Sequence, residues 1–273
     1  MNLMALEGLP ATSTFPASAG TLAALDAISA AGFDGVQFAT PGTAQELSHC
    51  RGIGLGIAAS GRVNLPAETD ALAQQFADDG YECATLHVGW GLEDDQQACR
   101  LIESVIEASC KWRIPLYIET HRATIFQDMW RTVQFVRQFP DIEINADFSH
   151  WYTGQEMVYG GFEQKVAFLA PIFDRVRFIH GRIGNPGCMQ VRIDTNATEP
   201  PLYVQHFKRL WSLCFRSGGR IYFTPELLAP DIFYARTFPN GDSIAAEESD
   251  RWEQSLLLKQ IAEQCFEQAA CHA

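Results

Sequence analysis

Short apolar runs, rich in β-branched and aromatic residues, alternate along this chain with longer stretches whose apolar positions recur at helical spacing. The strand-like runs are LMAL near the N-terminus, GVQF (35–38), GLGIAA (54–59), CATLHV (83–88), PLYIE (115–119), EINAD (143–147), VRFIH (176–180) and IYFTPE (221–226). Helical patterns lie between them. AGTLAALDAISAAG ends on Gly32 and ALAQQFADDG on Gly80, both suited to closing a helix. QQACRLIESVIEASCKW, FQDMWRTVQFVRQF, FEQKVAFLAPIF and YVQHFKRLWSLCFRSGG follow, and SDRWEQSLLLKQIAEQCFEQAA closes the chain. Strict alternation predicts a parallel sheet. Eight units predict an α/β fold of the closed (β/α)8 TIM-barrel type, one domain over 1–273, in preference to an open doubly wound sheet. Such barrels build their active sites at the C-terminal ends of the strands. The two long connections, 181–200 and 227–248, both follow such ends and are placed to wall or cover a substrate.

Four runs end on a residue that can bind a metal: Glu119 after LYI, Asp147 after EINA, His180 after VRFI and Glu226 after IYFTP. A buried apolar strand that ends in a carboxylate or imidazole carries a polar group that burial penalises unless something engages it. Two Glu, one Asp and one His suit a hard or borderline divalent cation. Each tip taken alone has an ordinary alternative: an ion pair with arginine, a cap on the next turn, or a satisfied core histidine. Other candidates surround the four. His87 ends CATLHV and could touch substrate or a second metal. His121 and Arg122 follow Glu119, and His150 follows Asp147 at D-x-x-H spacing. Arg182 lies two residues beyond His180, where its planar donor fork could take a carboxylate or phosphate. Gln190 lies in the first long loop and could reach back. Trp90, Phe148 and Trp151 could form an aromatic wall against a sugar face, or simply fill the core.

Composition narrows the classes. With 47% hydrophobic and 19% charged residues the chain has an ordinary globular balance. Its net charge of -13, with four lysines, disfavours nucleic acid as a partner. No apolar stretch is long enough to span a membrane, and the N-terminus lacks the pattern of an export signal, so a cytoplasmic location is expected. Eight cysteines without a C-x-x-C pair are expected to be free thiols rather than zinc ligands. The apolar segment SLLLKQIAEQCF could bury a face in a homo-oligomer, or pack on its own barrel.

The segments IETHRATIFQD (118–128), ADFSHWY (146–152), FIHGRIGNPGCMQV (178–191) and FTPELL (223–228) resemble the xylose-isomerase-like TIM-barrel superfamily of sugar isomerases and epimerases, whose relatives include the endonuclease IV enzymes. The resemblance spans nearly the whole chain. It implies one divalent metal ion held by Glu119, Asp147, His180 and Glu226, which stand 28, 33 and 46 residues apart in that order. Mn2+ is the ion expected, with Zn2+, Co2+ or Mg2+ as alternatives. It further implies a ketose or related polyol derivative as substrate, whose C–H is acidified by the metal and whose proton is moved by Glu119 and Glu226 through an enediolate. A dehydratase or lyase acting on such a substrate is the alternative. His87, His121, Arg122, His150, Arg182 and Gln190 would then contact substrate. The endonuclease pattern is broken: RIGNPGCMQVRID (182–194) lacks a D-x-H motif, and no histidine ends the run at 54–59.

Overall fold

The structure is a computed structural model that describes residues 1–16, 20–194, 199–240 and 244–271. Its centre is a ring of parallel strands in sequence order: β1 Gly35–Phe38, β2 Gly56–Val63, β3 Cys83–Val88, β4 Leu116–Glu119, β5 Ile144–Ala146, β6 Val176–Gly181 and β7 Tyr222–Pro225. Helices connect successive strands and cover the outside, the arrangement of an α/β TIM barrel.

The expected first strand is not one. Leu3–Leu6 forms a 3-10 helix, because the side chain of Asn2 accepts from Met4 N at 2.9 Å and turns the chain at that point. The eighth place in the ring falls to the two residues before it. Gln37 N donates to Met1 O at 2.8 Å on the β1 side, and Asn2 N donates to Pro225 O at 3.2 Å on the β7 side. Two residues thus nearly close the gap between β7 and β1.

A second departure matters more for the site. β2 does not stop at Ala59 but continues through Val63, fully paired with β3 from Ala58↔Cys83 to Val63↔Val88. The polar stretch Ser60, Gly61 and Arg62 is therefore strand, and Arg62 sits in register with His87. The helix Ala44–Gly52 also escapes the apolar pattern. It buries only Leu47 and Cys50, and it is started by a capping box between Thr43 and Glu46.

The outward faces of the strands, including Ile57, Leu86, Ile118, Ile144 and Ile179, join the large core beneath the helices. The second long connection carries a short antiparallel hairpin, β8 Thr237–Asn240 with β9 Ile244–Glu247. Gln190 braces the two long loops: its amide donates to Leu228 O at 3.1 Å and accepts from Leu228 N at 2.8 Å. The eight cysteines are free thiols. Among the described residues no helix is long and apolar enough to cross a membrane.

Candidate metal centre

Side chains two apart on a strand share a face, so each inward row climbs from the base of the barrel to its tip. The rows read Ala58, Ser60, Arg62 on β2, Cys83, Thr85, His87 on β3, Tyr117, Glu119 on β4, Phe178, His180 on β6, and Tyr222, Thr224, Glu226 along and just beyond β7. At the base, Ala58, Cys83, Tyr117 and Phe178 form an apolar cluster with Tyr222 packed against it. At the tip the same rows turn ionisable.

There Glu119, Asp147, His180 and Glu226 bring one ligand atom each to within 4.8 Å of the others. The first three are buried, and Glu226 keeps 13% of its side chain exposed. His180 is fixed from below. Asn2 Nδ2 donates to Gln37 Oε1 at 3.0 Å and Gln37 Nε2 donates to Thr85 Oγ1 at 2.8 Å, so Gln37 Oε1 is an acceptor and His180 Nε2 donates to it at 3.0 Å. That leaves His180 Nδ1 facing the carboxylates, 3.4 Å from both Glu119 Oε2 and Glu226 Oε2. Asp147 caps the helix Phe148–Gly154, where its Oδ1 accepts from Ser149 N at 2.9 Å and Ser149 Oγ at 2.6 Å. Its Oδ2 takes a short contact from Arg182 Nη2. Arg182 Nη1 also lies 3.2 Å from Glu226 Oε2, close enough for an ion pair though not aligned as a hydrogen bond.

The electrostatics follow from that packing. Burial opposes charge on Glu119, yet His87 and His180 hold its carboxyl well below the usual range. Burial likewise opposes charge on Asp147, and Arg182, then His150, keep it ionised. For His180 burial disfavours the cation, but Glu226 and Glu119 outweigh it and hold the ring up at about 9. His121 goes the other way: burial, with His150 and His87 adding to it against the pull of Glu119, pushes it down to about 3.

A divalent ion fits this set. Glu119 Oε2 accepts from Asn145 Nδ2 at 3.2 Å and lies 3.2 Å from His87 Nε2, whereas Glu119 Oε1 is buried and has no partner among the described residues. A lone buried carboxylate oxygen is costly unless something positive meets it. Three carboxylates with Arg182 leave two negative charges, which a dication balances when His180 is neutral.

The other expected residues divide. His87, His121 and His150 stand in a row of tilted rings, with ring centroids 4.1 and 3.9 Å apart, along one side of the cluster. His87, Glu119 and His121 form a second group of close ligand atoms. Arg122 is exposed, above the ring of Tyr234. Arg182 turns its donors to Asp147 and Glu226 and is 1% exposed. Gln190 spends both ends of its amide on Leu228 and is a brace. Phe148 and Trp151 are buried core, with Trp151 Nε1 donating to Phe126 O at 2.9 Å; only Trp90 is exposed, lying against Arg62.

Four residues escaped the sequence reading. Tyr234 reaches in from the second long loop, its hydroxyl 3.3 Å from His121 Nε2 and its ring 4.7 Å from the Arg182 guanidinium. Gln37 and Asn145 are polar residues on inward strand positions, a signal that was visible in GVQF and EINAD. Arg62 was hidden by ending β2 too early.

No family model matches the chain, and no curated protein matches it in sequence. Solved structures do match it in shape. The probable 3-DHS dehydratase AsbF of Bacillus anthracis superposes with a TM-score of 0.57 at 12% identity, over 85% of this chain and 93% of that one. The shared fold is the α/β TIM barrel. A protein of that description from Mycobacterium smegmatis, in complex with magnesium, gives a TM-score of 0.54 at 14% identity, over 90% of this chain and 89% of that one. A D-tagatose 3-epimerase-like protein gives 0.56 at 11% identity, over 91% and 96%. At such identities the likeness is one of fold.

Proposed function

We propose that this protein is a divalent-metal-dependent sugar isomerase or epimerase, acting on a ketose or related polyol derivative by proton transfer through an enediolate. The observation that carries the reading is the unpartnered, buried Glu119 Oε1 beside three further ligand side chains. Two similar folds add support, one a magnesium complex and one epimerase-like by name. When bound, the ion supplies the positive charge that polarises a substrate carbonyl and acidifies the adjacent C–H. Asp147 and His180 would hold the ion, with Glu119 and Glu226 completing the set. Glu119 is ionised at neutral pH and takes the proton, which it releases to solvent, and Glu226, equally near His180 Nδ1, gains a proton from solvent and gives it to the substrate carbon. His121, Arg122 and His150 face the substrate. Mn2+ suits a set of three carboxylates and one imidazole, with Zn2+, Co2+ and Mg2+ as alternatives.

A dehydratase on the same scaffold needs an acid beside the departing oxygen. His121 and His150 are the rings placed to supply it, and burial opposes protonation of both.

The test begins with elemental analysis of the purified protein. About one Mn, Co, Zn or Mg per chain is expected, and Glu119→Gln and His180→Ala should each lower it. Unchanged stoichiometry in both variants removes the assignment. With ketoses and polyols in deuterated water, Glu226→Gln should abolish formation of the isomer or epimer while leaving the circular dichroism spectrum intact. Unchanged product formation removes Glu226 from its role.

A further inference from the structure

Arg62 stands on the inward row of β2 with its guanidinium held on three sides. Nη1 donates to Gly89 O at 2.9 Å, the ring centroid of Trp90 lies 4.5 Å away, and Nη2 meets His87 Nδ1 at 3.3 Å. The turn that supplies two of these contacts is itself built. Gly89 has φ +67°, a conformation that side chains disfavour, and a Cβ there would lie 2.8 Å from Glu93 and Ile125. The Glu93 carboxylate accepts from the backbone N–H of Trp90 and Gly91, each at 2.8 Å.

A guanidinium carries only donors, so His87 must accept at Nδ1. A neutral imidazole that accepts at Nδ1 bears its proton on Nε2. Nε2 is the atom 3.2 Å from Glu119 Oε2. The Nε2–H of His87 therefore lies at ion-pair distance from Glu119, on the oxygen that Asn145 also occupies.

We infer that Arg62 and His87 are a positioning pair for Glu119: Arg62 holds the His87 ring as an Nε2–H donor, and His87 holds one carboxylate oxygen so that the other is presented alone to the metal or the moving proton. The inference rests on the role proposed for Glu119 and extends it to residues that touch neither ion nor substrate. It also decides between the two groups of close ligand atoms. With Nε2 protonated and Nδ1 facing a guanidinium, His87 has no lone pair for an ion, so His87, Glu119 and His121 do not form a second metal site. The protein holds one ion per chain.

The ring can be read directly. The full-length protein is labelled with 15N-histidine, and long-range 1H–15N spectra are recorded from pH 6 to 10 without metal and with increasing Zn2+. The spectrum of His87→Gln assigns the His87 signals. The neutral His87 ring should show a protonated Nε2 and a bare Nδ1, unchanged by zinc, and zinc should saturate at about one equivalent. Arg62→Met, which keeps the length of the side chain and removes its donors, should bring in the Nδ1–H form. In solvent-exchange assays Arg62→Met and His87→Ala should lower kcat by roughly 10–100-fold at unchanged metal content, the usual effect of losing an outer partner. His87→Gln, whose amide can still donate to Glu119, should recover part of that loss. An Nδ1–H ring in the wild type, a second zinc bound with loss of the Nε2–H signal, or an unaltered ring in Arg62→Met would each overturn the inference. Absence of bound metal would defeat the proposed function alone, because the ring form is read in the metal-free protein as well.

Discussion

At the base of the barrel interior, Cys83, Tyr117, Phe178 and Tyr222 exclude water with apolar and aromatic surface; at the tip, His87, Glu119, His180 and Glu226 stand on the same four rows, two to four residues farther along. Burial opposes charge at both base and tip, yet the outcomes differ. At the base it pushes the Cys83 thiol up to about 12 and leaves it uncharged, which suits packing. At the tip it opposes charge just as strongly, but opposite charges a few ångströms away win, and Glu119, Asp147 and His180 stay ionised. The apolar plug thereby serves the charged layer above it. A low-dielectric floor strengthens each ion pair and makes a lone carboxylate oxygen such as Glu119 Oε1 a strong demand for a cation.

If base and tip are separable in this way, variants at each end should fail differently. The largest effect on folding belongs to the base. Phe178 touches Tyr117, Tyr222 and His180 at ring-centroid distances of 6.1, 5.8 and 5.5 Å, and Phe178→Ala should cost about 3–5 kcal/mol by chemical denaturation. Metal stoichiometry of the folded fraction should be unchanged; a lost ion would show that the floor and the ligand layer are one unit. At the tip, Arg182→Met leaves Asp147 buried without its cation. In the metal-free protein this should also cost about 3–5 kcal/mol, and saturating Mn2+ should restore a large part of it. Equal losses with and without metal would make Arg182 a structural residue only.

A smaller effect concerns pH. His180 is held at about 9 in the folded protein, above the ordinary histidine value near 6.5. Its contribution to stability is complete below about pH 6.5 and is lost as pH rises through about 9. Metal must displace that proton, so affinity should climb over the same interval. Denaturation midpoints of the metal-free protein at pH 6.5 and 9.5, beside metal titrations at both, check the two trends. A flat profile would mean that Glu119 and Glu226 do not hold the proton. The smallest effect should come from Tyr234→Phe, which removes one hydroxyl contact to His121 and leaves the ring against Arg182. A loss of about 0.5–1.5 kcal/mol is expected, with metal affinity unaltered. A large fall in affinity would bring the second long loop into the metal layer.

Much of this contrast was legible beforehand. β-Branched runs that end in Glu119, Asp147, His180 and Glu226 mark both the strands and their tips, because period-two alternation fixes which side chains face inward. The errors have physical causes. LMAL has the apolar content of a strand, but Asn2 caps it into a 3-10 turn. The Ser60–Gly61–Arg62 stretch carries no apolar signal, and only pairing with β3 makes it a strand. Where the donors of Arg182 and Gln190 point, one to the candidate ligand carboxylates and the other across two loops, depends on neighbours far away in the chain.

The alternation of most strands and helices, the barrel, and the four candidate ligand side chains at the strand tips were determined by the sequence alone, since each depends on local spacing. Which oxygen of Glu119 is left free, which nitrogen of His180 faces it, and what Arg62 does to His87 were decided only by the tertiary structure. Those outcomes turn on hydrogen-bond donors that come from separate strands and meet within about 3 Å only when the ring of strands closes.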